Sequence, residues 1–160
     1  ARILGVQGAV IADALSTFSG LPHRQEFVRV IGNVRFINDS KATNSEATAK
    51  ALASYENIFW IVGGQFKENS VDILSGALSK VRHAYLIGDA QDLFAEGLDG
   101  KVPLTRSGDI ETAVHQASRA ALAYGQPAEV LLSPACASFD QFASFESRGA
   151  VFRDLVETLS

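Results

Sequence analysis

The chain has 160 residues, 47% hydrophobic and 20% charged, with a formal net charge of −4 and a pI near 5.3. That length suffices for one domain with a real core, and the lack of any basic stripe or Lys/Arg run excludes recruitment by a nucleic-acid backbone. The longest apolar runs are about five residues, far short of a membrane span, so neither nucleic acid nor membrane is expected as a partner.

Residues 1–19 read as the tail of a preceding unit. Apolar positions 10, 11, 14, 15 and 18 have helical spacing, and Ser19-Gly20-Leu21-Pro22 ends the pattern. Residues 26–31 and 34–37 flank Gly32-Asn33 and read as a β-hairpin with a tight turn. A helix is expected over 44–54, with Ala47, Ala51 and Leu52 on its inner face. Ile58 to Val62 is an apolar strand stopped by Gly63-Gly64. A helix over 71–81 leads to a strand at 84–87, itself stopped by Gly88-Asp89. A short helix covers 90–97 and a weak strand 101–105. Asp109 caps a helix reaching Tyr124, and Asp109 and Glu111 suit its positive end. Gln126-Pro127 turns the chain into a strand at 129–132, and a last helix runs from Phe145 to the C-terminus. Apolar strands alternating with helices specify a parallel sheet covered on both faces. The expected fold is therefore α/β and Rossmann-like. It has a mostly parallel six-stranded sheet, one antiparallel edge strand from the N-terminal hairpin, and helices on both faces.

The densest chemistry lies at Asn38-Asp39-Ser40-Lys41-Ala42-Thr43-Asn44, where an aspartate, a lysine, two hydroxyls and two amides occupy seven positions. Neither a strand nor a helix cap needs so many polar groups. A second cluster of the same design is Ser133-Pro134-Ala135-Cys136-Ala137-Ser138-Phe139-Asp140-Gln141-Phe142. Ligands of open parallel sheets sit beyond the carboxyl ends of the strands. On that rule Lys41, Thr43, Lys67 and Ser138 converge, and two lysines with hydroxyls and helix N-termini make an anion site for carboxylate or phosphate.

Each residue also has a plainer reading. Thr43 or Asn44 caps the next helix, Lys41 and Lys67 are solvated charges, Gly63-Gly64 is a turn needing positive φ, and Ser138 is a cap or a ligand contact. Cys136, the single cysteine, excludes an internal disulfide, fits a reducing compartment and reads as a small buried thiol. Phe139, Phe142 and Phe145 at spacing three read as core, or one of them walls a pocket. His23, His83 and His115 are too scattered for a metal site; only His23, beside Arg24, invites interest. G-x-x-x-x-G-K-[ST] and G-x-G-x-x-G are both absent.

Four segments carry a resemblance: Gly20-Leu21-Pro22-His23-Arg24, Asn38 to Asn44, Leu131 to Phe142, and Phe145-Glu146-Ser147-Arg148-Gly149. In order and spacing they resemble the C-terminal domain of the D-glutamate-adding members of the Mur ligase family of peptidoglycan synthesis. The resemblance covers residues 18–158. It implies a Rossmann-like amino-acid-binding domain at 20–160, with 1–19 a remnant of the central ATP-binding domain. It implies a cytoplasmic, monomeric parent enzyme, an ATP-dependent acid–amino-acid ligase. That parent activates UDP-N-acetylmuramoyl-L-alanine as an acyl phosphate and couples it to D-glutamate. By the same resemblance Lys41 and Thr43 hold D-glutamate carboxylates, with Ser138 and the backbone at Phe145 as further contacts. Lys67, in a Gly-Gly-x-x-Lys loop, is a charge partner of the side-chain carboxylate. Arg24 reaches toward the phosphates of ATP and Asp39 toward its ribose. No catalytic residue and no metal ligand is carried onto this chain; ATP and magnesium are expected mainly on the central domain. Without a phosphate-binding loop the chain is expected to be inactive alone. It has no methionine, even at position 1, and reads as a piece of a longer protein. The competing expectation is a stand-alone anion- or partner-binding α/β module without a catalytic role.

Overall fold

The structure, a computed structural model, describes residues 4–18, 20–68 and 70–160. The first helix, α1 (Gly8–Thr17), leaves Val10 and the capping Phe18 exposed, and none of its described side chains joins the core. Residues 1–3 and 19 of the expected remnant, and the side chain of Leu15, lie outside the described residues.

Strands β1 (Glu26–Ile31) and β2 (Val34–Asn38) form the antiparallel hairpin. Gly32, at φ 59, takes the first turn position, which a two-residue turn of this hand reserves for glycine. The remaining strands are β3 (Ile58–Gly63), β4 (Val81–Ile87), β5 (Leu104–Gly108) and β6 (Ala128–Leu132). The sheet order is β1-β2-β6-β3-β4-β5, and every pair from β2 to β5 is parallel. The last strand of the chain is thus inserted between β2 and β3. Side chains of β3 and β6 are buried on both faces, which is why neither sequence alternates; β3 is apolar throughout and β6 is apolar but for Glu129, which pairs with Arg35.

One face is covered by α2 (Ser45–Ala53), a 3-10 segment (Asp72–Lys80) and α3 (Gln91–Leu98). Leu52, Leu74 and Phe94 there pack with Trp60, Val62 and Leu86 of the sheet. The other face is covered by α4 (Ile110–Tyr124) and α5 (Phe145–Thr158), whose Ala113, Ala117 and Phe152 pack with Phe59, Ile61 and Tyr85. Asn44, Asp109 and Ser144 cap α2, α4 and α5 through their side chains.

The architecture matches the expected fold class, with local corrections. The segment expected as an α-helix over 71–81 winds as a 3-10 helix. Strand β4 begins three residues earlier than expected and β5 is shifted toward the C-terminus, because pairing with the neighbouring strand sets the limits there and apolar runs do not. On α2 the buried positions are Ser45, Thr48, Ala51 and Leu52, whereas Ala47 is only half-buried.

Candidate functional site

Five parallel strands end on one edge, and β6, lying between β2 and β3, brings three loops together there. Backbone bonds stitch them: Asp39 N–H donates to Leu132 O (2.8 Å), Gly63 N–H to Pro134 O (3.0 Å), and Gln65 and Ala137 exchange bonds of 2.9 and 3.0 Å. Gly63 and Gly64 both sit at φ 130, and a Cβ on either would overlap a carbonyl, Ile87 O or Ala137 O. The glycine pair therefore serves close approach between loops as well as a turn.

A buried arginine that the sequence analysis did not single out locks these loops. Arg148 on α5 is 1% exposed. Its Nε donates to Ser40 Oγ (3.0 Å), and its Nη2 to Ser40 O (2.9 Å) and Cys136 O (3.0 Å). No carboxylate of the described residues forms an ion pair with it. Burial, the largest influence, lowers its pKa to about 10. The signal in the sequence was periodicity: 148, 152 and 156 fall on one stripe of α5, and Phe152 and Val156 are core. Ser40 Oγ in turn donates to Phe145 O (2.8 Å), tying the rim to the start of α5.

Asp39 lies beneath the rim, 5% exposed. Its carboxylate accepts from Gln25 N–H (3.1 Å) and from the Ser133 hydroxyl (2.9 Å). Ser133 and Thr48 hydroxyls are bonded at 3.1 Å, and Thr48 Oγ1 also accepts from Ala135 N–H (3.1 Å). Thr48 was missed because a threonine inside a helix is a weak sequence signal. Burial raises the Asp39 pKa to about 6, against the lowering effects of Ser133, Gln25 and the nearby Arg24 guanidinium. Arg24, exposed, shares with Asp39, Lys41, Asn44 and Lys50 a surface cavity of about 290 Å³.

The expected lysines both end on aromatic rings, Lys67 on one in the β6–α5 loop and Lys41 on the first residue of α5. Lys41 Nζ lies 3.9 Å from the centre of the Phe145 ring, and Lys67 Nζ lies 5.4 Å from that of Phe139. Each is a cation over an aromatic face, worth ~0.5–1 kcal/mol where exposed. Ser138, next to Phe139, is 2% exposed. Thr43 is half-buried just before the Asn44 cap, and its N–H donates to Lys41 O (2.9 Å). Phe145 opens α5, so its N–H has no partner within the helix. Lys41 and Thr43 thus follow β2, Lys67 follows β3, Ser138 follows β6 and Phe145 opens α5, all at the carboxyl edge of the sheet, and Lys41 also lines the cavity that holds Arg24 and Asp39. At the start of α2, Ser45 N–H donates to Glu68 (2.9 Å), and Ser45 Oγ is buried without a partner.

Two expectations need revision. Phe139 is 62% exposed rather than core, because it stands over the rim against Lys67. The reading of Cys136 as a small buried thiol holds but is incomplete, because the Arg148 guanidinium lies beside it. Burial nevertheless dominates and pushes the thiol up to about 12.

Comparison with known proteins supplies a frame for this geometry. Residues 23–136 match the family model described as "Mur ligase, glutamate ligase domain". The chain is 52% identical, over all of its 160 residues, to the UDP-N-acetylmuramoylalanine–D-glutamate ligase of Phenylobacterium zucineum, covering 34% of that protein. It is 52% identical over 157 residues to the ligase of the same name from Rhodospirillum rubrum, covering 98% of this chain and 33% of the relative. The chain thus spans about a third of the length of these curated relatives. Among solved structures, the UDP-N-acetylmuramate-alanine ligase of Thermotoga maritima superposes with a TM-score of 0.60 at 13% identity, over 98% of this chain and 35% of that one. The bifunctional folylpolyglutamate synthase/dihydrofolate synthase of Yersinia pestis gives 0.56 at 20% identity, over 94% and 35%. At those identities the structural likeness speaks for the fold alone.

Proposed function

The chain belongs to the Mur ligase family as a glutamate ligase domain, and from that membership we propose that it is the D-glutamate-binding part of an ATP-dependent amide ligase. The parent enzyme joins the D-glutamate amine to the activated carboxyl of UDP-N-acetylmuramoyl-L-alanine, releasing ADP and phosphate. Residues 20–160 are the amino-acid-binding domain and 1–19 belong to the domain before it. The observation that carries the reading is the placement of two lysine ammonium groups over two rings, Phe139 in the β6–α5 loop and Phe145 at the start of α5, with Ser138 next to the first of them. D-glutamate presents two carboxylates, and two cations with hydroxyl and N–H donors match their charge and valence.

Lys41 and Thr43 take one carboxylate, and Lys67 and Ser138 the other, with the backbone of Phe145 as a further donor. The buried Arg148 charge, without a carboxylate partner, adds positive potential under the rim. Arg24 suits a phosphate, and Asp39 a ribose hydroxyl, since each carboxylate oxygen accepts one described bond and has lone pairs to spare. ATP supplies the phosphoryl group that activates the carboxyl. Magnesium accompanies ATP and, by the family resemblance, takes its ligands mainly on the central domain of the parent. The chain alone is expected to show no turnover. We place the enzyme in the cytoplasm as a monomer on the strength of its family membership.

Amide-detected NMR titration with D-glutamate tests this. Shifts should cluster at Lys41, Thr43, Lys67, Ser138 and Phe145, with a weak, millimolar-to-micromolar dissociation constant, about 4–8 kcal/mol. Lys41→Ala and Lys67→Ala should each weaken binding without unfolding the chain. An equal response to L-glutamate or L-lysine would rule out the assigned substrate.

A further inference from the structure

We propose that His23 is a positioning residue that sets Lys41 by two routes, through its own backbone and through the ring of Phe145. For its ligand the idea rests on the D-glutamate reading, while for its geometry it does not. The His23 carbonyl accepts from Lys41 N–H at 2.9 Å. The His23 and Phe145 rings meet in a T-shaped arrangement at 6.3 Å between centres, and the Lys41 ammonium lies 3.9 Å from the centre of the same Phe145 ring. One residue therefore touches both the root of the lysine and the surface on which its head rests.

His23 is itself held on every side. Its N–H donates to Glu26 Oε2 (2.8 Å), and Glu26 is paired with Arg153 of α5. Asn38 Nδ2 lies 3.0 Å from ring Nδ1 and also reaches Gly149 O (3.1 Å), while Asn38 Oδ1 accepts from Ser40 N–H (3.2 Å). That last bond fixes which way the Asn38 amide points. Its nitrogen therefore faces His23 Nδ1, Glu26 Oε2 (3.2 Å) and Gly149 O together and pins the ring edge among them. The ring lies against the bare Cα of Gly149, where a Cβ would overlap Nδ1. The backbone of His23 is at φ 61, a conformation that a non-glycine residue keeps only when its surroundings over-determine it. So much constraint on one ring is explained if the ring is a stop for Phe145.

Two substitutions displace the ring by independent means. His23→Asn removes it while tolerating the left-handed backbone, which asparagine adopts more readily than most residues. Gly149→Ala pushes it away while adding a good helix former to α5. The first measurement needs no ligand: the ε-methylene protons of Lys41 should carry an upfield ring-current shift from Phe145. Each single variant should lose most of that shift and bind D-glutamate about two- to fivefold more weakly, the scale of one exposed cation–ring contact. In the double variant the alanine methyl enters the space the ring vacated, so its effects should equal those of His23→Asn alone. An unchanged Lys41 shift in both singles overturns the proposal, even if thermal stability falls, because His23 would then be merely structural. Additive losses in the double variant overturn it too. If Lys41 responds as stated but the unsubstituted chain ignores D-glutamate, the substrate reading fails and the positioning role stands.

Discussion

Replacing Asp39 with asparagine should stabilise the protein, and only above the pH at which the buried carboxyl ionises. The group is 5% exposed, and burial is the largest influence on its pKa, which rises from 3.8 to about 6. The folded state therefore holds the proton more tightly than the unfolded chain. A raised folded pKa means that Asp39 contributes most below pH 4, and that the contribution is lost as pH climbs through 6. The shift is about two pH units at ~1.4 kcal/mol each, so the full swing is about 3 kcal/mol. Asparagine is isosteric and uncharged. Its Oδ1 can still accept from Gln25 N–H, and its amide can donate to the Ser133 hydroxyl, which turns to donate to Thr48. One imperfect hydrogen bond costs about 1 kcal/mol. Urea unfolding of both proteins should show them within about 1 kcal/mol at pH 4.5. By pH 7.5 Asp39→Asn should lead by about 2 kcal/mol, roughly 4–8 °C in melting temperature. A stability difference that stays constant between those pH values would refute the reasoning, since Asp39 would then ionise as freely in the fold as in the open chain.

Arg148→Ala removes the donors to Ser40 O and Cys136 O and leaves a buried void, so a loss of about 3 kcal/mol or more is expected by urea unfolding. Thr48→Val keeps the shape of the side chain but strands Ala135 N–H and weakens the Ser133 contact, and should cost about 1–3 kcal/mol by the same assay. Cys136 should resist a thiol reagent at pH 8 in the native protein and react promptly in urea, because it is fully buried and its thiol is pushed up to about 12. Lys67→Ala should change stability by less than about 0.5 kcal/mol, as an exposed side chain, while NMR titration shows weaker D-glutamate binding.

What was legible in the sequence was whatever local chemistry decides. The hairpin followed from Gly32-Asn33 between apolar pairs, the helix starts from Asp109 and its neighbours, and the parallel core from unbroken runs such as Ile58 to Val62. That Lys41, Lys67 and Ser138 follow strands ending on one edge was legible from topology alone, because parallel strands share their carboxyl edge. The strand order itself was not legible. Nothing local says that β6 inserts between β2 and β3, and that insertion is what sets Phe139 and Phe145 beneath the two lysines.

The residues whose roles the sequence did not reveal share one property: each works through partners distant in the chain. Arg148 reads as one more charge on a C-terminal helix until its fork is seen spanning Ser40 and Cys136, 108 and 12 positions away. Phe139 reads as core by spacing, yet it stands outside because a cation needs its face. A buried guanidinium without a carboxylate partner is a costly way to join two loops, and apolar residues would join them without that penalty. Its retention beneath a rim of exposed lysines makes sense if the same charge that cross-links the loops also lowers the cost of bringing a doubly anionic amino acid onto them.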